Sequence, residues 1–264
     1  QRSVQGEIER ALSRVCAGPV RVNGTSRTDA GVHAYGQRAS FLADFSIPTD
    51  KIPVAANGLL AAAPARNGTS RKTSGDVAIL SAEEVPDDFH ARFNSVGKKY
   101  IYKIRNSQAP DPFQRNYFYS VGKTLDVEAM EQAAACFVGT FDFAAFQAAG
   151  GKELGSTVRT VYSTRLHAAS DSPANAIILE IIGDGFLYNM VRIIAGTLVD
   201  AGLGKKSPDE IPDIIAGKRR QSAGHTAPPQ GLYLAEVFYE QERLLEAVKK
   251  MNGKEKQDEN KRSV

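Results

Sequence analysis

Cysteine is scarce in this chain of 264 residues, which contains only Cys16 and Cys136. The two lie far apart, and neither has a second cysteine at CxxC spacing. This argues against a disulfide framework and a cysteine-rich zinc site, and it is typical of proteins in a reducing compartment. We therefore expect both cysteines to be buried apolar residues.

Long apolar runs are also absent from the sequence. No stretch approaches the roughly 18 apolar residues of a membrane-spanning helix. The N-terminus lacks the basic and then apolar pattern of a signal peptide. We therefore expect a soluble, cytoplasmic protein, and the sequence leaves open whether the compartment is bacterial cytoplasm or a eukaryotic organelle.

An excess of one charge is absent as well. The 33 basic and 30 acidic residues leave a net charge of +3, so whole-chain charge does not indicate a nucleic-acid-binding protein. Any basic surface must be local. The length fits one large domain or two of about 130 residues each.

The spacing of apolar residues predicts alternating helices and strands. Helices are predicted over residues 4–15, 127–138 and 186–201, the last capped by Asp184 and ended by Gly202. Strands are predicted over residues 77–80, 99–104, 158–166, 177–182 and 232–239, and two more near 20–22 and 39–42 place Asp29 in their connecting loop. Residues 61–75 lack Ile, Leu, Val and aromatics, which predicts a surface loop, and residues 249–264 predict a frayed polar tail. This pattern indicates an α/β or α+β fold with mixed sheets.

Four segments combine residue types that can carry chemistry. They are the SRTDAGVHA sequence of residues 26–34, the VPDDFHARF sequence of residues 85–93 with KKYIY at 98–102, the GFLYNMVR sequence of residues 185–192 with AGTL at 195–198, and the TAPPQGLYL sequence of residues 226–234. In this order they resemble the motifs of the tRNA pseudouridine synthase A family. The first is the most specific, because the family presents its catalytic aspartate on an Arg-Thr-Asp-Ala-Gly-Val-His loop.

The resemblance implies three active-site residues. Asp29 is the catalytic carboxylate, which either attacks C1′ of the ribose or removes the C2′ proton. Arg192 takes the place of the family's active-site arginine and would keep Asp29 charged and oriented. Its apolar neighbours favour burial with a partner over a solvated position on a helix face. Tyr100 takes the place of the active-site tyrosine, which would stack on the displaced uracil and help to remove its C5 proton, whereas Tyr102 is expected to be a core residue.

The implied reaction converts uridine to pseudouridine and gains or loses no atom. It requires a carboxylate, a base and charge-stabilising groups, so we expect no cofactor and no metal. Asp87, Asp88 and His90 lack the further ligands of a metal site. Residues 202–207 lack the spacing of a phosphate loop. A glycosidase normally uses two carboxylates, and the Asp29 loop offers one.

RNA contacts are expected from residues near the pocket and from local basic clusters. Arg27 either occupies the space of the extruded nucleotide and holds its phosphate, or braces the loop. His33 either contacts RNA phosphate or ties the loop together by hydrogen bonds. The basic clusters comprise Arg92, Lys98, Lys99, Lys103 and Arg105, and then Lys205, Lys206, Lys218, Arg219 and Arg220.

The resemblance also implies an architecture and partners. The fold would be α/β (α+β), with two ferredoxin-like halves joined into a mixed, mostly antiparallel sheet around a central RNA-binding cleft and with helices on the outer face. The halves would be residues 1–94 and 95–240, followed by a helical extension and polar tail at 241–264. Family members act as homodimers on the anticodon arm of tRNA and usually begin with a strand, which we expect to be missing before Gln1. The competing hypothesis is a noncatalytic RNA-binding module of the same fold.

Overall fold

The elements of the protein are taken from a computed structural model that describes residues 3–61, 75–109, 111–151, 155–168 and 175–262. The expected loop at 61–75 therefore lies almost wholly outside the described residues. The helices in the described ranges are α1 (Val4–Val15), α2 (Ile52–Ala61), α3 (Val127–Ala135), α4 (Met190–Gly202), α5 (Ile211–Gly217) and α6 (Gln241–Arg262). The strands there are β1 (Asn23–Gly24), β2 (His33–Ala34), β3 (Ala39–Ser40), β4 (Gly97–Asn106), β5 (Tyr119–Val121), β6 (Gly139–Asp142), β7 (Val158–Ala168), β8 (Ala176–Gly183) and β9 (Leu232–Phe238). None of the helices searched in these ranges is long and apolar enough to cross a membrane.

One compact unit comprises Gln1–Ser26 and Arg38–Asn94. In it α1 begins after Ser3, whose hydroxyl accepts a hydrogen bond from the backbone N–H of Gly6. Such a cap stabilises a helix by about 1 kcal/mol. Strands β1 and β3 pair antiparallel. The core of this unit is built from α1, α2 and the segment that follows α1: Ala11, Leu12, Val20, Val22, Ile52, Ala56 and Leu60.

The predicted strand over residues 77–80 is wrong. The backbone N–H of Ile79 donates to Oδ1 of Asn57 over 2.7 Å, and Nδ2 of Asn57 donates to the carbonyl of Ile79 over 2.8 Å. One amide side chain of α2 thus satisfies both backbone groups of Ile79. The segment is therefore held without a neighbouring strand.

The second unit comprises Arg27–Gln37 and Ser95–Val264, and it contains a seven-stranded sheet. The strand order is β2-β9-β4-β8-β7-β6, and β5 pairs with the end of β4. The pairs β2–β9 and β4–β5 are parallel, and the other pairs are antiparallel. Side chains from α3 and α4 share a core with β4, β7, β8 and β9. The prediction of an α+β fold with a mixed, mostly antiparallel sheet is confirmed, and the two-half arrangement and the domain limits stay predictions.

Two details of the helices differ from the sequence-based expectations. Asp184 does not cap α4, because its Oδ1 accepts from the backbone N–H of Thr160, and α4 begins only at Met190. The frayed tail expected from residue 249 is also wrong, because α6 continues to Arg262 and Met251 is buried.

The two cysteines, Cys16 and Cys136, were expected to be buried. Both are half-buried in the structure.

Candidate active site

Asp29 and Arg192 lie in the same compact unit and form an ion pair. Nη1 of Arg192 donates to Oδ2 of Asp29 over 2.8 Å. The Arg192 side chain is 14% exposed and the Asp29 side chain 34%, so the pair is half-buried and partly open to solvent. A charged hydrogen bond of this length fixes the orientation of the carboxylate. Within the described part of the chain no hydrogen bond reaches Oδ1 of Asp29, so this oxygen is unused.

Arg192 is itself held by three acceptors from separate segments. Besides the bond to Asp29, Nη1 donates to Oδ1 of Asn189 and Nε donates to the carbonyl of Ala227, each over 2.8 Å. The backbone N–H of Ala227 also donates to the carbonyl of Arg192. Because a guanidinium presents its N–H groups in a rigid planar fork, these three bonds set both the position and the tilt of the charge.

Asn189 is a site residue that the sequence analysis missed. It immediately precedes α4 in the left-handed backbone conformation, with φ 60° and ψ 10°. Asparagine adopts this conformation more readily than most residues other than glycine. Its side chain does not cap the helix and instead accepts from Arg192. The signal available in the sequence was an asparagine in the GFLYNMVR motif, three residues ahead of Arg192.

The carbonyl of Ala227 reaches Arg192 because the segment 223–228 packs closely against α4. A Cβ atom built on Gly196 would lie 1.9 Å from the carbonyl oxygen of His225, which is less than any real contact. The close approach therefore requires glycine at this position of the helix. Gly196 stands in the motif at 195–198. This motif therefore allows the backbone of the segment 223–228 to pack directly against α4.

The Asp29 loop is fixed on its other side by a turn and a strand. The backbone N–H of Val32 donates to the carbonyl of Asp29 over 3.0 Å, and Gly31 between them has φ +88°. Strand β2 then pairs in parallel with β9, with His33 opposite Tyr233. The carboxylate is thus presented four residues before a hydrogen-bonded sheet position. Glycine at 31 suits this turn because other L-residues rarely adopt a positive φ.

Tyr100 and Tyr102 point to the same face of β4, the face covered by α4. Tyr102 is fully buried, its hydroxyl donates to the carbonyl of Pro228 over 2.7 Å, and burial raises the pKa of its phenol far above the usual value. It is a core residue, as expected. Tyr100 is 8% exposed and meets Phe186 edge-on at 5.2 Å between ring centroids. Most of its ring therefore belongs to the core, and only a small part is open.

Sequence comparisons identify the family of this chain. A sequence model of a family described as tRNA pseudouridine synthase matches residues 133–240. The chain is 48% identical over 238 residues to tRNA pseudouridine synthase A of Ruminiclostridium cellulolyticum, with 90% of each chain covered. It is 43% identical over 242 residues to tRNA pseudouridine synthase A of Bacillus subtilis, with 91% of each chain covered. The chain belongs to the tRNA pseudouridine synthase family.

This member of the pseudouridine synthase family gives different surroundings to the two loop residues that were candidates for RNA contact. Arg27 is exposed, and its side chain makes no hydrogen bond or ion pair with any residue that the structure describes. His33 is engaged by the protein. Its Nε2 lies 2.8 Å from the carbonyl oxygen of Asn116, and its ring stacks on those of Tyr117 and Tyr233. These contacts favour the loop-tying role for His33 and a free guanidinium at Arg27.

Three basic residues alternate along the other face of β4 in this pseudouridine synthase. Lys99 pairs with Glu180 over 2.5 Å, and Arg105 pairs with Asp111. Lys103 has no carboxylate partner among the described residues. Of these three members of the predicted RNA-binding cluster, two are thus already neutralised by a carboxylate and Lys103 is not.

Glu180 on β8 is the partly buried carboxylate that neutralises Lys99. Burial disfavours its charge, but the hydrogen bond and charge of Lys99, together with His167 and Arg165, outweigh burial and lower the pKa of the carboxyl. Its two oxygens accept from Lys99 and Arg165. Glu180 is therefore a structural counter-ion, and Lys99 is less available to an external phosphate.

The remaining candidates are dispersed. In the second basic cluster Lys205 pairs with Asp200 over 3.3 Å, whereas the Arg219 side chain is exposed and makes no bond with any described residue. Lys98 lies on β4, half-buried, and Arg92 lies in the other compact unit, where its guanidinium is 5.8 Å from the ring of Phe93. Over the described ranges, no three His, Cys, Asp or Glu side chains are grouped closely enough to hold a metal ion.

Proposed function

We propose that this protein is an isomerase that converts uridine to pseudouridine in tRNA, at uridines of the anticodon arm. Family membership and the names of its relatives support the reaction class. The observation that carries the proposal is the 2.8 Å bond between Arg192 and Asp29, with one oxygen of the carboxylate held and the other unused. This is the arrangement expected of a carboxylate that acts on a substrate.

The reaction breaks the bond between N1 and C1′, turns the uracil and joins C5 to C1′. A proton leaves C5 and a proton is added to N1, so atoms and oxidation state are conserved. Asp29 either attacks C1′ to form a covalent ester or removes the C2′ proton, so that uracil departs from a glycal. In both routes Oδ2 is oriented by Arg192 while Oδ1 faces the reacting atom. No redox group or group donor is needed for such an isomerisation.

Tyr100 is proposed to contact the displaced uracil through the part of its ring that is not covered by the core. Its contact with Phe186 holds the ring at a fixed angle. A rigid aromatic surface limits how far the uracil can move while it turns, and the phenol is a candidate acceptor for the C5 proton.

The RNA chain is proposed to be held mainly by cations that the protein leaves unneutralised. Arg27, two residues before Asp29, is proposed to occupy the position of the extruded nucleotide or to bind its phosphate. Arg219 and Lys103 are proposed to bind backbone phosphates further along. The roles of Arg92, Lys98, Lys99, Arg105 and Lys205 in RNA binding are weaker proposals, because Lys99, Arg105 and Lys205 are paired with carboxylates.

Two further features come from the family resemblance alone. We propose a homodimer and a cytoplasmic location. Light scattering of the purified protein should give twice the mass of the chain, and a monomer that still modifies tRNA would contradict the dimer.

The proposed function is tested by mapping pseudouridine in an unmodified tRNA transcript treated with the protein. Asp29→Asn keeps the size of the side chain and removes the reactive carboxylate, so product formation should fall by at least about 10²-fold to 10⁴-fold. Binding of the transcript should stay within about threefold of the wild-type value. The matched control is Asp44→Asn, an exposed carboxylate without a partner among the described residues, which should behave as wild type.

Two outcomes would contradict the proposal. If the wild-type protein binds the transcript but forms no pseudouridine, the noncatalytic RNA-binding module is the better description. If Asp29→Asn forms product at the wild-type rate, the reaction does not depend on Asp29.

A further inference from the structure

A chain of stacked rings follows the Asp29 loop and has no role in the proposed chemistry. The ring of Tyr117 stacks on His33 at 5.4 Å between centroids, His33 stacks on Tyr233 at 4.6 Å, and Tyr233 stacks on Tyr35 at 5.0 Å. The interplanar angles are 17° to 23°, so the rings are nearly parallel. We call Tyr117, His33, Tyr233 and Tyr35 the aromatic chain.

The aromatic chain is held by the sheet next to the candidate active site. His33 lies opposite Tyr233 in the parallel pair of β2 and β9, and the backbone N–H of Tyr35 donates to the carbonyl of Leu234. The hydroxyl of Tyr233 donates to the carbonyl of Tyr117 over 2.8 Å. His33 and Tyr35 are four and six residues after Asp29, so ring positions and carboxylate are coupled through one short segment.

The two ends of the aromatic chain are open, although its centre is not. Tyr233 is 3% exposed, whereas Tyr35 is 56% exposed and Tyr117 49% exposed. Rings that only fastened β2 to β9 would be most stable when covered, because exposed aromatic surface gains nothing from the hydrophobic effect. Open rings on a pre-stacked support offer a surface to which an unstacked nucleobase can add.

Lys103 adds an uncompensated charge beside the open Tyr35 ring. Its Nζ donates to the Tyr35 hydroxyl over 2.9 Å and lies 4.2 Å from the ring centroid of Tyr233. On the same face of β4 Lys99 and Arg105 each have a carboxylate partner, and Lys103 has none among the described residues. The cation is therefore held in place by aromatic rings and one hydroxyl, with N–H groups left for an anion.

We propose that Tyr35 and Lys103 form a binding subsite for one unstacked nucleotide of the RNA substrate, with the base stacked on Tyr35 and its phosphate bound by Lys103. The proposal rests on the proposed function for the identity of the ligand as RNA. It adds a second contact beside the reacting uridine. The reacting uridine itself is bound elsewhere, at Asp29. Stacking recognises the flat face of any base, so this subsite selects an unpaired nucleotide rather than a particular sequence.

The experiment pairs protein variants with abasic transcripts. Binding of unmodified tRNA transcripts, each lacking one base of the anticodon arm, is measured by fluorescence anisotropy with wild-type, Tyr35→Leu and Tyr35→Phe protein. Tyr35→Leu should weaken binding of the intact transcript about tenfold, and Tyr35→Phe, which keeps the ring, should stay within about twofold. At one abasic position the wild-type protein should lose about the same tenfold, and Tyr35→Leu should lose nothing more, because both changes remove one stack.

Lys103→Met tests the phosphate contact separately. The slope of the logarithm of the affinity against the logarithm of salt concentration should decrease in magnitude by about one. Phe113→Leu is the matched aromatic control, since Phe113 is 88% exposed and stacks on no described ring. It should leave affinity and salt slope unchanged.

Several results would overturn the subsite. These are wild-type affinity in Tyr35→Leu, additive losses at every abasic position, an unchanged salt slope in Lys103→Met, or an equal loss in Phe113→Leu. A fall in the mass of the protein in Tyr35→Leu with unchanged RNA affinity would assign the aromatic chain to contact between copies of the protein. The proposed function is judged separately. If wild-type protein forms pseudouridine and Tyr35→Leu binds normally, only the subsite is wrong.

Discussion

Helix α4 carries a carboxylate network at each end, and the two networks use their carboxylates differently. Near its start, Arg192 holds one oxygen of Asp29 and leaves the other unused. Near its end, Asp200 has Oδ1 3.3 Å from Nζ of Lys205 and Oδ2 3.4 Å from Nδ1 of His225. The Asp200 side chain is 11% exposed, against 34% for Asp29.

Because Asp200 has both oxygens engaged and Asp29 only one, we expect Asp200 to have a structural role and Asp29 to be able to react. Both networks grip the segment 223–228, through His225 at one end of α4 and through Ala227 at the other. With both oxygens engaged and little exposure, Asp200 can only stabilise this segment. Asp29 stands on a loop from a distant part of the chain, and its second oxygen accepts no hydrogen bond from a described residue, which leaves it open to the proposed substrate.

The largest expected effect comes from a change that disturbs both networks together. Gly196→Ala would place a methyl group 1.9 Å from the carbonyl oxygen of His225, so the segment 223–228 must move away from α4. We expect a loss of about 3 kcal/mol or more in the free energy of unfolding, measured with urea, and a loss of product formation. The control is Gly58→Ala in α2, where an added Cβ would meet no neighbouring atom of the described residues within 4 Å, so the change should be neutral or stabilise by up to about 1 kcal/mol. Equal stability of the two variants would show that the segment is not tightly packed on α4.

A smaller effect should appear when the two carboxylates are changed one at a time. Asp200→Asn should lower the free energy of unfolding by about 1–3 kcal/mol because it weakens a buried charged network, and it should leave pseudouridine formation within about tenfold of wild type. Asp29→Asn should show the reverse, with nearly wild-type stability and very little product. Thermal unfolding measures the stability of both variants, and single-turnover assays measure their pseudouridine formation. If Asp200→Asn is as stable as wild type but loses most of its activity, the structural role assigned to Asp200 is wrong.

The smallest effect is expected at Asn189, whose side-chain oxygen accepts from Arg192 and positions it. Asn189→Gly keeps the left-handed backbone and removes the acceptor of the Arg192 N–H, so kcat should fall about tenfold while KM for tRNA stays constant. Asn189→Asp keeps an acceptor at the same place and should recover most of kcat. A change of KM alone, or no recovery in Asn189→Asp, would show that Asn189 acts by another route.

The elements that depend on local patterns could be predicted from the sequence. Helix α1 matches its predicted limits because apolar spacing and the Ser3 cap agree over one continuous segment. Strands β4, β7, β8 and β9 also fall close to their predicted positions, since each carries apolar residues along its length that are buried in one core. The run at residues 77–80 failed because it is short and a side chain from α2 satisfies its backbone.

The candidate site was only partly predictable, and for a physical reason. Asp29, Tyr100 and Arg192 were found through their resemblance to family motifs, and no periodicity indicated that Asp29 and Arg192 would pair. Asn189 was missed because the helix was predicted to begin at residue 186, which placed Asn189 inside it, whereas α4 begins at Met190. The carbonyl of Ala227 has no side-chain signature at all, since its place follows from the missing Cβ of Gly196.

The pairing of β2 with β9 also sets the order in which this protein can mature. Asp29 leaves the ribosome about 200 residues before β9, and at usual rates of synthesis the interval is roughly 10–40 seconds. Until Arg192 and then β9 have been made, the loop lacks first its ion-pair partner and then its strand partner. The nascent chain therefore carries Asp29 at first without the guanidinium that orients its carboxylate, and the proposed site is complete only once β9 has been made.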